Sequence, residues 1–290
     1  MPEDKVGFIG LGVMGKPMTE NLLKKGFEVI GYDVQKERLD AIEKSGAQIA
    51  RSCKEVAELS DVIIVMVLNK KQVEAAILGE EGVLSGAKEG SAIILTSTLT
   101  PGFVKGIGEA VEKKGVGFID APVSGQWPSA ADGTLTIMVG GEDAVIERCR
   151  PILDALSKNL FVMGPVGTGQ AIKLANQIIV NSSWIATSEA VAMATKAGIS
   201  LERFLEIIRM CTGNTWVAQD DRWLRWWKLK VAKGSTSLNM NIKDIRMAFE
   251  TSKEYGLNLM HLEAMANLDV MATLKNVPSE LAQDEEEGGS

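Results

Sequence analysis

The chain has 290 residues, enough to bury a sizeable core and to form two domains. A net charge of −7, with 46% hydrophobic and 24% charged residues, fits a globular protein and argues against a nucleic-acid partner, since a phosphate backbone rewards a basic face. One histidine and three scattered cysteines argue against a His-based metal site, a Ser/His/Asp triad and a disulfide framework, so no metal is expected and a reducing cytoplasm is.

In chain order, the N-terminal MPEDK lacks the apolar core of a signal peptide. Val6–Ile9 is the first β-rich run, followed by a glycine turn and a helix through about Lys25, closed by Gly26. Further runs are read at Glu28–Tyr32, Val62–Val67, Ala92–Leu95, Gly117–Ile119, Thr134–Val139 and Leu160–Val162. Short apolar runs alternating with helical patterns predict a mainly parallel sheet covered on both faces. Beyond Pro165 the β signals nearly vanish, and residues 166 to about 275 read as helices broken near Gly198, Gly213, Gly234 and Gly256. The expected domains are 1–164, 165–282 and a disordered acidic tail at 283–290.

The longest element is expected from Val166 to Ala197, with Thr168 as N-cap and a length of roughly 45 Å. No charged residue lies between Lys173 and Glu189, which predicts burial, yet Lys173, Asn176, Gln177 and Asn181 share one polar face. A lysine there is either a catalytic group or a side chain reaching solvent past the first turn. The apolar stretch Ile178–Ala194 is interrupted by Asn181, Ser182, Ser183, Ser188 and Glu189, which argues against a membrane span.

Gly10-Leu11-Gly12-Val13-Met14-Gly15 follows a strand and opens a helix. Gly10 permits the tight turn, Gly12 lets the backbone approach a pyrophosphate, and Gly15 allows the helix to pack closely on the strand. Asp33, 23 residues after Gly10, is placed to accept from the ribose hydroxyls of NAD and to repel a 2′-phosphate. Val34 and Gln35 supply no arginine for that phosphate, so NAD is expected over NADP.

Four blocks occur in order: GFIGLGVMGKPM at 7–18, STLTP at 97–101, DAPVSG at 120–125 and GTGQAIKLANQ at 167–177, with NIKDIRMA at 241–248 following. In these blocks the chain resembles the β-hydroxyacid dehydrogenase family, which includes 3-hydroxyisobutyrate dehydrogenases and semialdehyde reductases. The resemblance implies an α/β Rossmann domain, a long interdomain helix and an all-α domain like the C-terminal part of 6-phosphogluconate dehydrogenase. It implies a homodimer or homotetramer through the helical domain and a small anionic substrate. Lys173 matches the family's catalytic lysine, and Ser124 and Gly125 the loop that holds the substrate carboxylate. Thr98 matches a residue near nicotinamide and substrate, Leu68 and Asn69 a segment along the dinucleotide, and Lys243 a lysine brought to the cofactor. Asn176 and Gln177 are expected to orient Lys173 or hold substrate, with Gln126 beside them. Imine reductases have a similar fold but usually lack the lysine, and a non-catalytic dinucleotide-binding scaffold is the further alternative.

The chain departs from the family pattern at Gln126, Trp127 and Pro128, where a second glycine is usual, and at Gln177, Thr96 and Thr236. Interleaved Trp and basic residues from Trp216 to Lys230 are read as packing, subunit interface or pocket wall, and His261 as structural.

Overall fold

The protein is described by a computed structural model covering residues 4–219 and 236–268. Its chain divides into two compact units, Met1–Lys173 and Leu174–Ser290. The first is a Rossmann-type α/β unit. Its sheet is built from β1 (Val6–Ile9), β2 (Val29–Tyr32), β3 (Gln48–Ile49), β4 (Val62–Val65), β5 (Ala92–Leu95) and β6 (Gly117–Asp120), all parallel in the order β3-β2-β1-β4-β5-β6. Connecting helices include α1 (Gly15–Lys24), α2 (Lys36–Glu43), α3 (Cys53–Leu59), α4 (Lys70–Leu78), α5 (Val83–Gly86) and α6 (Pro101–Glu112).

Two-residue alternation explains why runs such as VIIV in β4 carry no polar residue. Val62 and Ile64 enter one core with Phe8, Met18, Leu22 and Ile94, while Ile63 and Val65 enter the opposite one with Val56, Val73, Ile93 and Val104. Each such buried side chain contributes about 1.5–3 kcal/mol before conformational entropy is counted.

After β6 the sheet changes direction. β7 (Val123–Ser124), α7 (Gln126–Asp132), β8 (Leu135–Gly141), α8 (Asp143–Leu156) and β9 (Ser157–Gly164) complete it. β8 runs antiparallel to both β6 and β7 and parallel to β9. β6 and β7 use successive lengths of β8, with Asp120 opposite Gly140 and Val123 opposite Ile137. Pro122 lies between them: it has no N–H to give, but its carbonyl accepts from Met138 N–H at 3.1 Å. Six of these strands fall within a residue or two of the apolar runs that predict them, while β9 extends well beyond Leu160–Val162. The two-residue β3 and β7 are too short to leave a period.

α9 (Thr168–Lys196) is 29 residues long, about 44 Å at 1.5 Å per residue. Thr168 is its first helical residue, and its hydroxyl donates to Pro165 O at 2.7 Å, so the expected Thr168 cap is not made. Apolar composition here does not mean complete burial, since Ile179 and Met193 are 66% and 74% exposed.

The second unit is all-helical among the described residues, continuing from α9 through α10 (Leu201–Ile208), α11 (Trp216–Gln219), α12 (Thr236–Glu254) and α13 (Met260–Ala266). One core gathers Trp184, Val191, Leu201, Phe204, Leu205 and Val217; another gathers Leu174, Ile245, Met247, Ala248, Leu262 and Met265. Trp216 meets Trp184 edge-on at 5.6 Å, a packing role, while residues 220–230 of its cluster lie outside the described residues. His261 Nε2 lies 2.8 Å from Ser182 Oγ, a local tie between α13 and α9. Residues 283–290 also lie outside the described residues. Among the described residues no helix is long and apolar enough to cross a membrane.

Candidate functional site

The expected site residues of the first unit lie at the carboxyl edge of its sheet and on the helix that follows. Strand order reverses between β1 and β4, which opens a crevice there for a ligand. Gly10 has φ +95°, and a Cβ on it would run into Met66 O; one on Gly15 would run into Gly10 O. Both glycines are therefore required by the chain's own packing. Gly12 differs, because its Cβ would meet nothing nearer than Arg38 Nη1 at 3.6 Å. Its bareness faces outward, as a dinucleotide-binding loop requires, so these residues fit the cofactor. Leu11 is buried, Val13 is 70% exposed and Met14 half-buried; no side chain caps α1 and no acidic residue stands in its first turn. Its leading N–H groups suit phosphate oxygens.

Asp33 follows β2 and is 6% exposed. Its Oδ2 accepts from Leu11 N–H at 2.8 Å and its Oδ1 from Gln35 N–H at 2.9 Å, so the carboxylate ties the glycine loop to the end of β2. Arg38 Nη1 donates to Oδ2 at 3.1 Å from the first turn of α2. Val34 and Gln35, the positions next to Asp33 in sequence, gave no sign of this basic partner. One helical turn carries the Arg38 guanidinium back to the carboxylate.

Beyond β4, Leu68 is half exposed and its N–H donates to Gln72 Oε1 at 2.8 Å. Asn69 Oδ1 caps α4 by accepting from Gln72 N–H at 3.0 Å. After β5, Thr96 is buried and donates to Val65 O at 3.1 Å, which makes this departure from the family pattern a strand-to-strand tie. Thr98 is half-buried between buried Ser97 and Leu99. Ser97 Oγ accepts from Val67 N–H at 2.9 Å.

Gln170, fully buried on α9, holds both neighbours of Thr98: its Oε1 accepts from Leu99 N–H at 2.9 Å, and its Nε2 donates to Ser97 O at 3.0 Å. Asp120, fully buried at the end of β6, accepts from Gly167 N–H at 2.6 Å and Gln170 N–H at 2.8 Å. It satisfies the opening turn of α9 in place of Thr168. Burial pushes this carboxyl up to about 6, against the pull of those two donors and of Lys105. Neither residue was singled out from sequence, although both stand inside the DAPVSG and GTGQ blocks.

Ser124 ends β7 half-buried, and Gly125 has φ +131°, with Ser129 filling the space a Cβ would need. Gln126 has φ +59°, a left-handed conformation that costs a side-chain-bearing residue on the order of 1 kcal/mol. Trp127 beside it is 56% exposed. Lys173 is 7% exposed, one turn beyond Gln170.

In the second unit, Gln177 is 8% exposed and donates from Nε2 to Asp244 Oδ2 at 2.6 Å, while Asn176 Nδ2 donates to Gln177 Oε1 at 3.3 Å. Lys243 Nζ lies 3.4 Å from Asp244 Oδ1. Gln177 thus ties α9 to α12. Thr236 begins α12, with its side chain outside the described set. Among the described residues no group of three His, Cys, Asp or Glu could hold a metal. Cys53 and Cys149 are buried thiols pushed up to about 11 and about 12, which keeps them from acting as nucleophiles.

Residues 5–164 match the family model described as the NAD binding domain of 6-phosphogluconate dehydrogenase. Residues 167–283 match the one described as NAD-binding of NADP-dependent 3-hydroxyisobutyrate dehydrogenase. A 2-(hydroxymethyl)glutarate dehydrogenase from Eubacterium barkeri is 35% identical over 250 residues, covering 86% of this chain and 83% of that protein. The crystal structure of a 3-hydroxyisobutyrate dehydrogenase from Salmonella typhimurium superposes with a TM-score of 0.80 at 28% identity, covering 91% of this chain and 92% of the other. An imine reductase from Myxococcus stipitatus reaches a TM-score of 0.67 at 17% identity, covering 91% and 92%, which is likeness of fold alone.

Proposed function

We propose that this chain, which belongs to the β-hydroxyacid dehydrogenase family, interconverts a small 3-hydroxy acid and its semialdehyde with NAD, using Lys173 as general acid and base. It is an oxidoreductase of the hydroxyacid dehydrogenase type with nicotinamide-dinucleotide-binding domains. The observation that carries the finer reading is the placement of Lys173, buried on α9 one turn beyond the glutamine bonded on both sides of Thr98.

When bound, the nicotinamide supplies or accepts the hydride. In reduction the Lys173 ammonium stabilises the charge growing on the carbonyl oxygen and donates the proton; in oxidation the neutral amine takes the hydroxyl proton. Ser124 and the Gly125 backbone hold the substrate carboxylate, and the neighbouring Gln126 and Trp127 select among substrates by shape. Asn176 supports the lysine's side of the site. The bond from Gln177 to Asp244 favours an indirect role for Gln177.

Gly10–Gly15, Asp33, Leu68, Asn69, Thr98 and Lys243 hold the dinucleotide. Asp33 favours NAD, and Arg38 offsets part of its charge, so NADP is disfavoured without being shut out. The domains are taken as 1–164 and 165–282, with a homo-oligomer formed through the helical part in a reducing cytoplasm. Exposed Ile179 and Met193 on α9 support the oligomer.

The names 2-(hydroxymethyl)glutarate and 3-hydroxyisobutyrate both denote acids with the hydroxyl on the carbon β to a carboxylate. Following NADH absorbance with primary-alcohol 3-hydroxy acids, 2-hydroxy acids and cyclic imines tests the class. Turnover of at least one 3-hydroxy acid, and of none of the others, is expected. Reduction of imines, or NADH binding with no turnover of any 3-hydroxy acid, would contradict it.

A further inference from the structure

Two buried side chains have no part in the chemistry proposed above, yet each makes two hydrogen bonds that join segments far apart in sequence. Asp120 joins the end of β6 to the start of α9, across 47 and 50 residues. Gln170 joins α9 to the loop after β5, across 71 and 73 residues. The two are linked directly, because the N–H that Asp120 accepts from is that of Gln170. Ser97 extends the connection to Val67 at the end of β4. One continuous set of hydrogen bonds therefore runs from the segment before Leu68 and Asn69, through the flanks of Thr98, to the turn of α9 that precedes Lys173.

We propose that Gln170 and Asp120 are positioning residues, which set the Lys173 turn of α9 and the Thr98 loop in one fixed mutual arrangement. Ordinary core packing would not require amides and carboxylates here. A buried polar group is costly unless every hydrogen bond is met, so apolar residues would fill this space at less risk. What the polar pair adds is direction. The Gln170 amide accepts from one side of Thr98 and donates to the other, which fixes the loop's path as well as its distance. Asp120 is fitted as closely: a Cβ on Gly140 would stand 2.6 Å from its Oδ1, and one on Gly169 would stand 2.8 Å from its Oδ2. With no room on either side, the start of α9 cannot slide along its axis while the carboxylate stays in place. Proton transfer and hydride transfer must both be in register at one carbonyl, and a misplacement of about 1 Å costs on the order of 10²-fold in rate.

The inference rests on the assignment of Lys173 and Thr98 to the active site. Its test uses the full chain with Gln170→Leu, Gln170→Glu and Asp120→Asn. The readouts are the NADH dissociation constant by fluorescence and kcat per NADH-binding site, so unfolded protein does not enter the rate. Gln170→Leu is expected to lower kcat by on the order of 10²-fold, with NADH affinity falling less, by under about tenfold, because the glycine loop is untouched and only the Thr98 contact with the dinucleotide shifts. Gln170→Glu keeps the acceptor for Leu99 N–H and falls between; it also serves if the leucine variant fails to fold. Asp120→Asn turns an amide NH₂ toward one of the two N–H donors and lowers kcat as well.

The pH profile separates positioning from mere support. Burial holds the carboxyl at about 6, against its backbone donors and the charge of Lys105 on α6. The wild-type rate should fall below that pH as Asp120 takes a proton and one acceptor is lost, and the limb should vanish in Asp120→Asn. Unchanged kcat per site in the Gln170 and Asp120 variants would overturn the proposal. If Lys173→Met retains turnover, the reading of the site itself fails. If Lys173→Met is inert while the other variants keep full kcat, the positioning role alone fails.

Discussion

The ends of β2 and β6 present the same residue type in the same kind of place, with different outcomes. Asp33 and Asp120 each follow or close a parallel strand, are buried, and accept two backbone N–H groups from segments that lead into helices. Asp33 also has a guanidinium at 3.1 Å and borders Gly12, whose missing side chain leaves open space. Asp120 is closed in by Gly140 and Gly169, and burial pushes it up to about 6. A carboxylate at a strand end can thus border open space or be closed in by the chain: Gly12 beside Asp33 leaves room, while Gly140 and Gly169 beside Asp120 leave none.

The contrast between the two strand ends breaks most visibly through those glycines. Gly169→Ala puts a Cβ 2.8 Å from Asp120 Oδ2 and into Met138 O. It is expected to cost roughly 3 kcal/mol of stability, the upper range for overpacking a tight interior. Gly12→Ala meets only Arg38 Nη1 at 3.6 Å, so stability should stay within about 1 kcal/mol while NADH affinity falls about tenfold, by loss of the close backbone approach. Denaturant melts and NADH titrations of the two variants check this, and equal loss of stability in both would remove the distinction.

A smaller effect is expected at the Asp33–Arg38 pair. Asp33→Asn should weaken NADH about tenfold by removing a charged acceptor, and should narrow the preference over NADPH. Arg38→Ala should weaken NADPH by a similar factor and NADH by less than about threefold, widening that preference. Titration with both nucleotides decides, and an NADH-to-NADPH ratio unmoved by either change would show that the pair takes no part in the choice.

The parts of the fold legible in sequence are those fixed by local period and steric demand. Apolar runs such as VIIV and AIIL announce buried parallel strands, and Gly10 and Gly15 announce the tight turn from β1 into α1. Arg38 escaped because its partner lies back across a helical turn. Asp120 and Gln170 escaped for a different reason: their partners are mostly backbone groups 47 to 73 residues away, and a backbone N–H leaves no letter in the sequence. Gln177 was visible as a departure from the family pattern, but its bond to Asp244, 67 residues on, could be seen only in three dimensions.

The proposed chemistry depends above all on Lys173. Lys173→Met keeps the length of the side chain and removes its charge and its proton. The decisive measurement is the rate of a single turnover when NADH-loaded Lys173→Met is mixed with a semialdehyde that the wild-type protein reduces, together with the NADH affinity of the same sample. Loss of general-acid and electrostatic help should slow that turnover by roughly 10²-fold to 10⁴-fold with NADH binding unchanged. Single-turnover reduction at the wild-type rate would contradict the assignment of the lysine.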